Sequence, residues 1–210
     1  MIRIAIFDDH AVVRTGLRQF LSDYVDLTVV AEASSGHDAV DVVRAGGIDV
    51  VLMDVSMPGQ NGVDALRAIK ARAPDLPVLM LSGYPEEQYA VSLMRQGASG
   101  YLNKDCDPVD IVSAIRTVAR GRKYITRAMA ARLLLSAKAD GTSPEHEGLS
   151  DREFQVFIRL AQGERIGHIA DTIALSVKTV SSYRARVLEK LQLTSNSDLT
   201  YYAFKKGLIQ

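Results

Sequence analysis

The chain has 210 residues, 47% apolar and 24% charged, which excludes an intrinsically disordered polypeptide and leaves room for one large domain or two small ones. Net charge is zero, excluding a uniformly basic coat protein, yet residues 1–148 carry 16 basic against 19 acidic residues (16 − 19 = −3) and residues 149–210 carry 9 against 6 (9 − 6 = +3). Cys106 stands alone, the four histidines lack zinc-ligand spacing, and no apolar run approaches the ~20 residues of a membrane span, so the expectation is a reduced, cytoplasmic, unexported protein with no membrane contact.

Short β-rich runs open the chain: IRIAIF (2–7), LTVVAE (27–32), IDVVLM (48–53), LPVLML (76–81) and a weaker GYLN at 100. Between and after them the periodicity predicts helices over 11–23, 36–46, 62–73, 86–96 and 107–121. Apolar strands alternating with helices imply a (βα)5 doubly wound parallel sheet. Residues 128–135 still read as helical, and AKADGTSPEHEG (137–148) then mixes Gly, Pro, Ser and charge without periodicity, as a linker does. Beyond it the pattern is helical only, over 151–162, 166–173, 177–191 and 196–206, introduced by capping-type residues Ser150, Ser176 and Asn196. The expected division is 1–122, a connecting 123–148, and 149–210.

Ligands of open α/β sheets bind at the carboxyl ends of the strands. Strand one ends in Asp8 and Asp9, strand three in Asp54, strand four in Ser82, and Lys104 follows strand five. Three converging carboxylates repel one another, and a hard divalent ion such as Mg2+ reconciles them while leaving room for phosphate oxygens. With that charge and Lys104 neutralising a phosphoryl group, a central Asp54 can act as nucleophile and become an aspartyl phosphate. Singly, each residue has a plainer reading: Asp8 or Asp9 as a helix N-cap, Asp54 as a turn cap, Ser82 as a loop hydroxyl, Lys104 as a solvated lysine. The joint placement carries the argument. No GxxxxGK loop is present, so the phosphoryl group is expected from a phosphorylated protein or an acyl phosphate rather than a cradled nucleotide.

The acidic pair, VLMDVSMPGQNG, LMLSGY and GYLNK resemble the receiver domain of two-component response regulators over about 1–122, and so imply a CheY-like, flavodoxin-like fold with strand order 2-1-3-4-5. The resemblance implies Asp54 as phosphoacceptor, Asp8, Asp9, Asp54 and the backbone carbonyl of Ser56 around Mg2+, Lys104 on the phosphoryl group, and Ser82 with Tyr101 as a switch pair. Tyr101 also reads as an ordinary half-buried aromatic. Asp105 follows Lys104 where other receiver branches place proline, which resembles the NarL/FixJ branch. Met53, Met57, Met80 and Met94 read as gap-fillers near the core, and Cys106 as a small half-buried side chain.

In the tail, Val177, Val180, Val187, Leu188 and Leu191 form one apolar stripe, with Lys178, Ser181, Ser182, Ala185 and Arg186 opposite. Ile169, Ala170 and Ile173, joined through Ala174-Leu175-Ser176, supply a preceding helix, which fits a helix-turn-helix but also fits an ordinary helix pair. The stretch LSDREFQVFIRLAQG followed by IADTIALSVKTVSSYRARVLEKLQLTSNSDL resembles the LuxR-type helix-turn-helix of NarL/FixJ regulators, and SSYRAR with AFKKGLI resembles the subgroup containing GacA, UvrY and BvgA. That resemblance implies a recognition helix over 177–191, with Lys178, Thr179, Ser181, Ser182, Arg184, Ala185 and Arg186 toward DNA. It also implies a sensor histidine kinase as partner, double-stranded promoter DNA with inverted half-sites, and homodimerisation on phosphorylation. A segment usually of S-N-K-E-I-A type reads Arg165-Ile166-Gly167-His168-Ile169-Ala170 here, and a helical glycine costs about 1 kcal/mol against alanine.

Two other functions were open on the residues. A haloacid-dehalogenase-like phosphatase also uses an aspartate nucleophile with Mg2+, but its second aspartate two residues on is here Ser56. The other is a protein-binding module working without phosphate, against which the complete acidic set argues. The expectation is therefore a phosphoacceptor with at most slow autodephosphorylation, not an enzyme.

Overall fold

The computed structural model describes residues 1–57, 61–83, 86–127, 129–131 and 145–209. The chain divides into two compact units, Met1–Leu133 and Leu134–Gln210.

In the first unit, five strands alternate with five helices: β1 (Ile2–Phe7), α1 (Ala11–Ser22), β2 (Leu27–Ala33), α2 (Gly36–Ala45), β3 (Val50–Asp54), α3 (Gly62–Arg72), β4 (Val78–Ser82), α4 (Glu86–Arg95), β5 (Gly100–Asn103) and α5 (Pro108–Ala119). The strands pair in parallel in the order β2-β1-β3-β4-β5, as the resemblance to receiver domains implies. Ile4, Ala5, Ile6 and Phe7 of β1 and Val50 to Met53 of β3 are all fully buried, the signature of central strands covered on both faces. One cluster joins Ile4, Ile6, Leu52, Leu79, Leu81 and Leu102 of the sheet to Leu21 of α1 and Ile111, Ile115 and Val118 of α5. The register places Phe7 beside Met53 and Met53 beside Met80, so the carboxyl ends of β1, β3 and β4 finish at one level. At Gly100 a Cβ would stand 2.8 Å from Leu79 Cδ2 and 2.9 Å from Tyr124 Cβ, so only glycine lets β5 take the segment at Tyr124 alongside it.

The sequence boundaries shift by one or two residues. β3 and β4 each start two residues after the start of their apolar runs and extend one residue further, so Asp54 and Ser82 close their strands, as expected. Of the helical stretch expected at 128–135, residues 129–131 are helical; 128 and 132–135 lie outside the described residues, as do 137–144 of the expected linker. Its last four residues, Glu145–Gly148, form a 3-10 turn.

The second unit contains α6 (Asp151–Ala161), α7 (Ile166–Thr172), α8 (Val177–Lys190) and α9 (Asn196–Lys205). Ser150 caps α6 in a reciprocal box with Glu153, and Ser176 caps α8 by accepting from Thr179 N–H. The expected cap Asn196 is instead the first helical residue: Ser195 caps α9 in a second box with Asp198. Both are capping-type residues, and a serine followed at the third position by an acid completes the reciprocal bond. Lys190 of α8 reaches Glu153 Oε2 at 2.7 Å, tying α8 to the start of α6. Burial works to raise the Glu153 carboxyl, but Lys190 and Ser150 outweigh it and hold the group below its ordinary range. Phe157 is fully buried, with ring centroids 5.8 Å from Phe154 and 6.0 Å from Tyr202 of α9, both edge-on. Among the described residues no helix is long and apolar enough to cross a membrane.

Candidate metal centre and nucleic-acid interface

The end of β1 is pinned by its own backbone. Asp8 N–H donates to Ala33 O, Asp8 Oδ1 accepts from His10 N–H at 2.8 Å, and Arg14 donates to Asp8 O at 2.6 Å. Asp8 therefore does not cap α1; His10 holds that position, and its side chain makes no cap bond. Asp54 closes β3, after which Val55 N–H donates to Leu81 O and Gly62 N–H returns to Val55 O. Asn61 accepts from Asp64 N–H at 2.7 Å, starting α3 directly over the strand end. Ser56 lends its backbone N–H to the Asp54 carboxylate. Lys104 N–H donates to Ser82 O at 2.8 Å, which fixes the lysine beside the end of β4.

These turns bring the expected residues together. Lys104 Nζ lies 2.7 Å from Asp8 Oδ2 and 3.0 Å from Asp54 Oδ2. Ligand atoms of Asp8, Asp9, His10 and Asp54 all fall within 4.8 Å of one another. Asp8 and Asp54 are 0% and 2% exposed, and Asp8 Oδ2, Asp54 Oδ2 and Asp9 Oδ1 are buried oxygens that complete no hydrogen bond, although the first two face Lys104 at ion-pair distance and the third faces His10. Burial pushes the Asp54 carboxyl up; Lys104 opposes this and Asp8 reinforces it. At Lys104 burial works the other way, but Asp54 and Asp8 outweigh it and keep the ammonium above its ordinary value. One ammonium among three carboxylates leaves buried negative charge and open oxygen lone pairs. That donor set fits a hard divalent cation.

Ser82 and Tyr101 are each 1% exposed. Tyr101 pairs with Met80, two residues before Ser82, so strand alternation puts both on one face of the sheet. Tyr101 is buried in this state, beyond the half-buried aromatic of the plainer reading. Met53, Met57 and Met80 are core residues, and Met94 and Cys106 are half-buried, as their plain readings had it.

On α8 the structure sorts the expected DNA-facing residues. Lys178, Ser181, Ser182, Ala185 and Arg186 are exposed. Thr179 is half-buried with its hydroxyl 2.7 Å from Ser176 Oγ, which makes it part of the cap, and Arg184 is half-buried with Nε donating to Asn196 Oδ1 at 2.6 Å. Ser181 and Ser182 donate back to the carbonyls of Val177 and Lys178. Val177 leaves the expected apolar stripe: it is 56% exposed, while Val180, Val187 and Leu191 are buried. As the first helical residue it has no neighbouring turn to pack beneath. The turn before α8 is tight because Ala174 adopts φ 51 and Leu175 N–H reaches back to Ala170 O.

His10, Asn61, Gly62 and Asn196 were not among the expected site residues. The N-G pair inside VLMDVSMPGQNG was a signal for Asn61 and Gly62, since Asn before a helix is a cap; nothing local in the sequence marks Asn196 as a partner of Arg184.

Residues 4–116 match the family described as "Response regulator receiver domain", and residues 147–203 match "Bacterial regulatory proteins, luxR family". The response regulator UvrY of Escherichia coli (strain K12) is 40% identical over 209 residues, covering 99% of this chain and 96% of that one. The response regulator GacA of Pseudomonas aeruginosa is 37% identical over 210 residues, covering 100% and 98%. Among solved structures, the response regulator ChrA of a heme-sensing two-component system is 33% identical with TM-score 0.53 and coverage of 99% and 98%. RcsB from Salmonella enterica serovar Typhimurium, bound to a promoter in the presence of phosphomimetic BeF3−, is 26% identical with TM-score 0.64 and coverage of 96% and 97%. With both family matches in sequence order and full-length relatives at this identity, the chain belongs to the two-component response regulators that join a receiver domain to a LuxR-type helix-turn-helix domain, in the subgroup of UvrY and GacA.

Proposed function

We propose that a sensor histidine kinase passes a phosphoryl group to Asp54, and that the phosphorylated chain dimerises and binds promoter DNA through α8 at inverted half-sites. The observation that carries this reading is the meeting of Asp54, Asp8 and Lys104 within ion-pair distance at the sheet's carboxyl end. In the transfer, an Asp54 carboxylate oxygen attacks phosphorus and the P–N bond to the donor histidine breaks, leaving an acyl phosphate on Asp54. Asp8, Asp9, Asp54 and the Ser56 carbonyl would hold Mg2+, which when bound offsets charge on the phosphoryl oxygens. Lys104, already aimed at Asp54, pairs with the incoming phosphoryl oxygens. Ser82 turns its hydroxyl toward the new dianion, and the buried Tyr101 ring on the same sheet face repacks against the space released, shifting the balance between two packings of the β4–β5 face. A position in the cytoplasm, where kinase and promoter are both reachable, goes with this reading, as does an acyl phosphate that the chain itself hydrolyses only slowly. Residues 1–122 form the receiver, 123–148 the connection and 149–210 the DNA-binding domain.

Of the DNA-facing set, Lys178 and Arg186 are exposed cations suited to phosphate, and Ser181, Ser182 and Ala185 are the small side chains nearest the bases. Thr179 supports the helix start, and Arg184 reaches a phosphate from its anchor on Asn196. Small side chains limit direct readout, so pairing two modules supplies the affinity that one lacks. In anisotropy titrations of a labelled duplex, acetyl phosphate with Mg2+ strengthens binding by the wild type and not by Asp54→Ala. Affinity falls steeply with salt, and Lys178→Ala and Arg186→Ala each flatten the slope of log K against log salt by about 1. Equal strengthening in wild type and Asp54→Ala would refute the mechanism.

A further inference from the structure

We infer that Tyr183 is a positioning residue for DNA binding: its ring seats the Arg186 guanidinium against one wall of the major groove while Asn196 aims Arg184 at the other, so that neither arginine reads a base. The inference rests on the reading of α8 as the helix that enters the groove. The Arg186 guanidinium carbon lies over the Tyr183 ring, 5.7 Å from its centroid, within the range of a cation–π contact. Arg186 is exposed and Tyr183 half-buried, so the ring is the fixed partner and the guanidinium the one it steers. Arg184 is held from another element: its Nε donates to Asn196 Oδ1 at 2.6 Å, which leaves its two terminal amino groups for a further acceptor.

An α-helix turns about 100° per residue, so the side chains of α8 have fixed bearings around its axis. Taking the mean bearing of Ser181, Ser182 and Ala185 as the floor of the groove, Arg186 stands about 90° to one side and Arg184 about 110° to the other. Tyr183 lies further round on the side of Arg186, at about 150°. Stacking therefore draws the guanidinium away from the floor and toward the flank. The major groove is about 12 Å wide and takes a helix, so the flanks of that helix face the two sugar–phosphate strands. An arginine that reads guanine has to reach O6 and N7 on the floor with both prongs, which the bearing of Arg186 and its seat on the ring oppose.

The test is anisotropy titration of the full chain, treated with acetyl phosphate and Mg2+, against labelled G·C-rich and A·T-rich duplexes over a range of salt. The variants are Tyr183→Phe, Tyr183→Leu, Arg184→Ala, Arg186→Ala and the double substitution Tyr183→Leu with Arg186→Ala. Tyr183→Leu is expected to weaken binding about three- to fivefold, the worth of an exposed cation–π contact, and to flatten the slope of log K against log salt toward that of Arg186→Ala. Tyr183→Phe, which keeps the ring, binds as the wild type does. In the Arg186→Ala background Tyr183→Leu costs nothing further, and each arginine variant loses the same factor on both duplexes. A Tyr183→Leu loss that persists without Arg186 shows a ring needed only for packing and overturns the assignment, as does Tyr183→Phe binding no better than Tyr183→Leu. A greater loss on the G·C-rich duplex from either arginine variant makes that arginine a base reader and also overturns it. A wild type that binds neither duplex, or binds both without salt dependence, overturns the DNA-binding reading itself.

Discussion

Gly62→Ala is expected to cost the first unit about 3 kcal/mol, the upper end for forcing extra atoms into packed structure, and to abolish most phosphoryl uptake. A Cβ at Gly62 would lie 1.8 Å from the carbonyl oxygen of Asp54, 2.8 Å from its carbonyl carbon and 3.1 Å from Val55 Cα. All three obstacles are backbone, so no side-chain rotation relieves them. Either the end of β3 moves, carrying Asp54 away from Lys104, or α3 lifts off the sheet and uncovers Val63, Leu66 and Ile69, which are all buried. Gly167→Ala is the matched control: nothing stands within 4 Å of its Cβ, and the change gains about 1 kcal/mol from helix propensity alone. Urea unfolding followed for each variant measures both. A Gly62→Ala chain as stable as the wild type would mean that the contact between α3 and the end of β3 is looser than described.

Lys104→Ala is expected to destabilise the first unit by about 3 kcal/mol, because it leaves Asp8 and Asp54 facing each other across a buried site without a counter-charge. Asp54→Asn has the opposite sign. Burial holds the Asp54 carboxyl above its ordinary range, so ionising it costs more in the folded chain than in the unfolded one, and an uncharged side chain of the same shape raises stability. The two substitutions are coupled, since removing Lys104 costs least where Asp54 no longer carries charge. A double-mutant cycle should return an interaction of at least about 1 kcal/mol. Equal losses on both backgrounds would show that Lys104 packs there without sensing the carboxylate. The gain from Asp54→Asn is a stability that the folded chain forgoes by keeping a carboxylate there.

The strands and their ends were legible because parallel strands buried on both faces leave continuous apolar runs, and the polar residues that end them must fall at one edge; their order was legible only through the resemblance to receiver domains. Asp54 and Ser82 prove to be strand residues since hydrogen bonding continues past the last apolar side chain. Contacts set by tertiary packing were not legible. The clash that excludes a side chain at Gly62, the turn of His10 toward Asp8 and Asp9, and the bond from Arg184 to Asn196, 12 residues on, leave no periodic trace. On α8 the helical period placed Val180 and Val187 correctly in the core and misplaced Val177, because a first-turn residue obeys the period without having anything to pack against. Thr179 shows the converse: a polar residue on the expected outward face whose hydroxyl is committed to the cap.

The central claim is that buried carboxylates from neighbouring strands, held beside one ammonium, make Asp54 a phosphoacceptor. Intact-mass measurement after incubation with acetyl phosphate and Mg2+ tests it most directly: wild type should gain the mass of one phosphoryl group, and Asp54→Asn none. An equal gain by Asp54→Asn, or a wild type that stays at its starting mass, would contradict it.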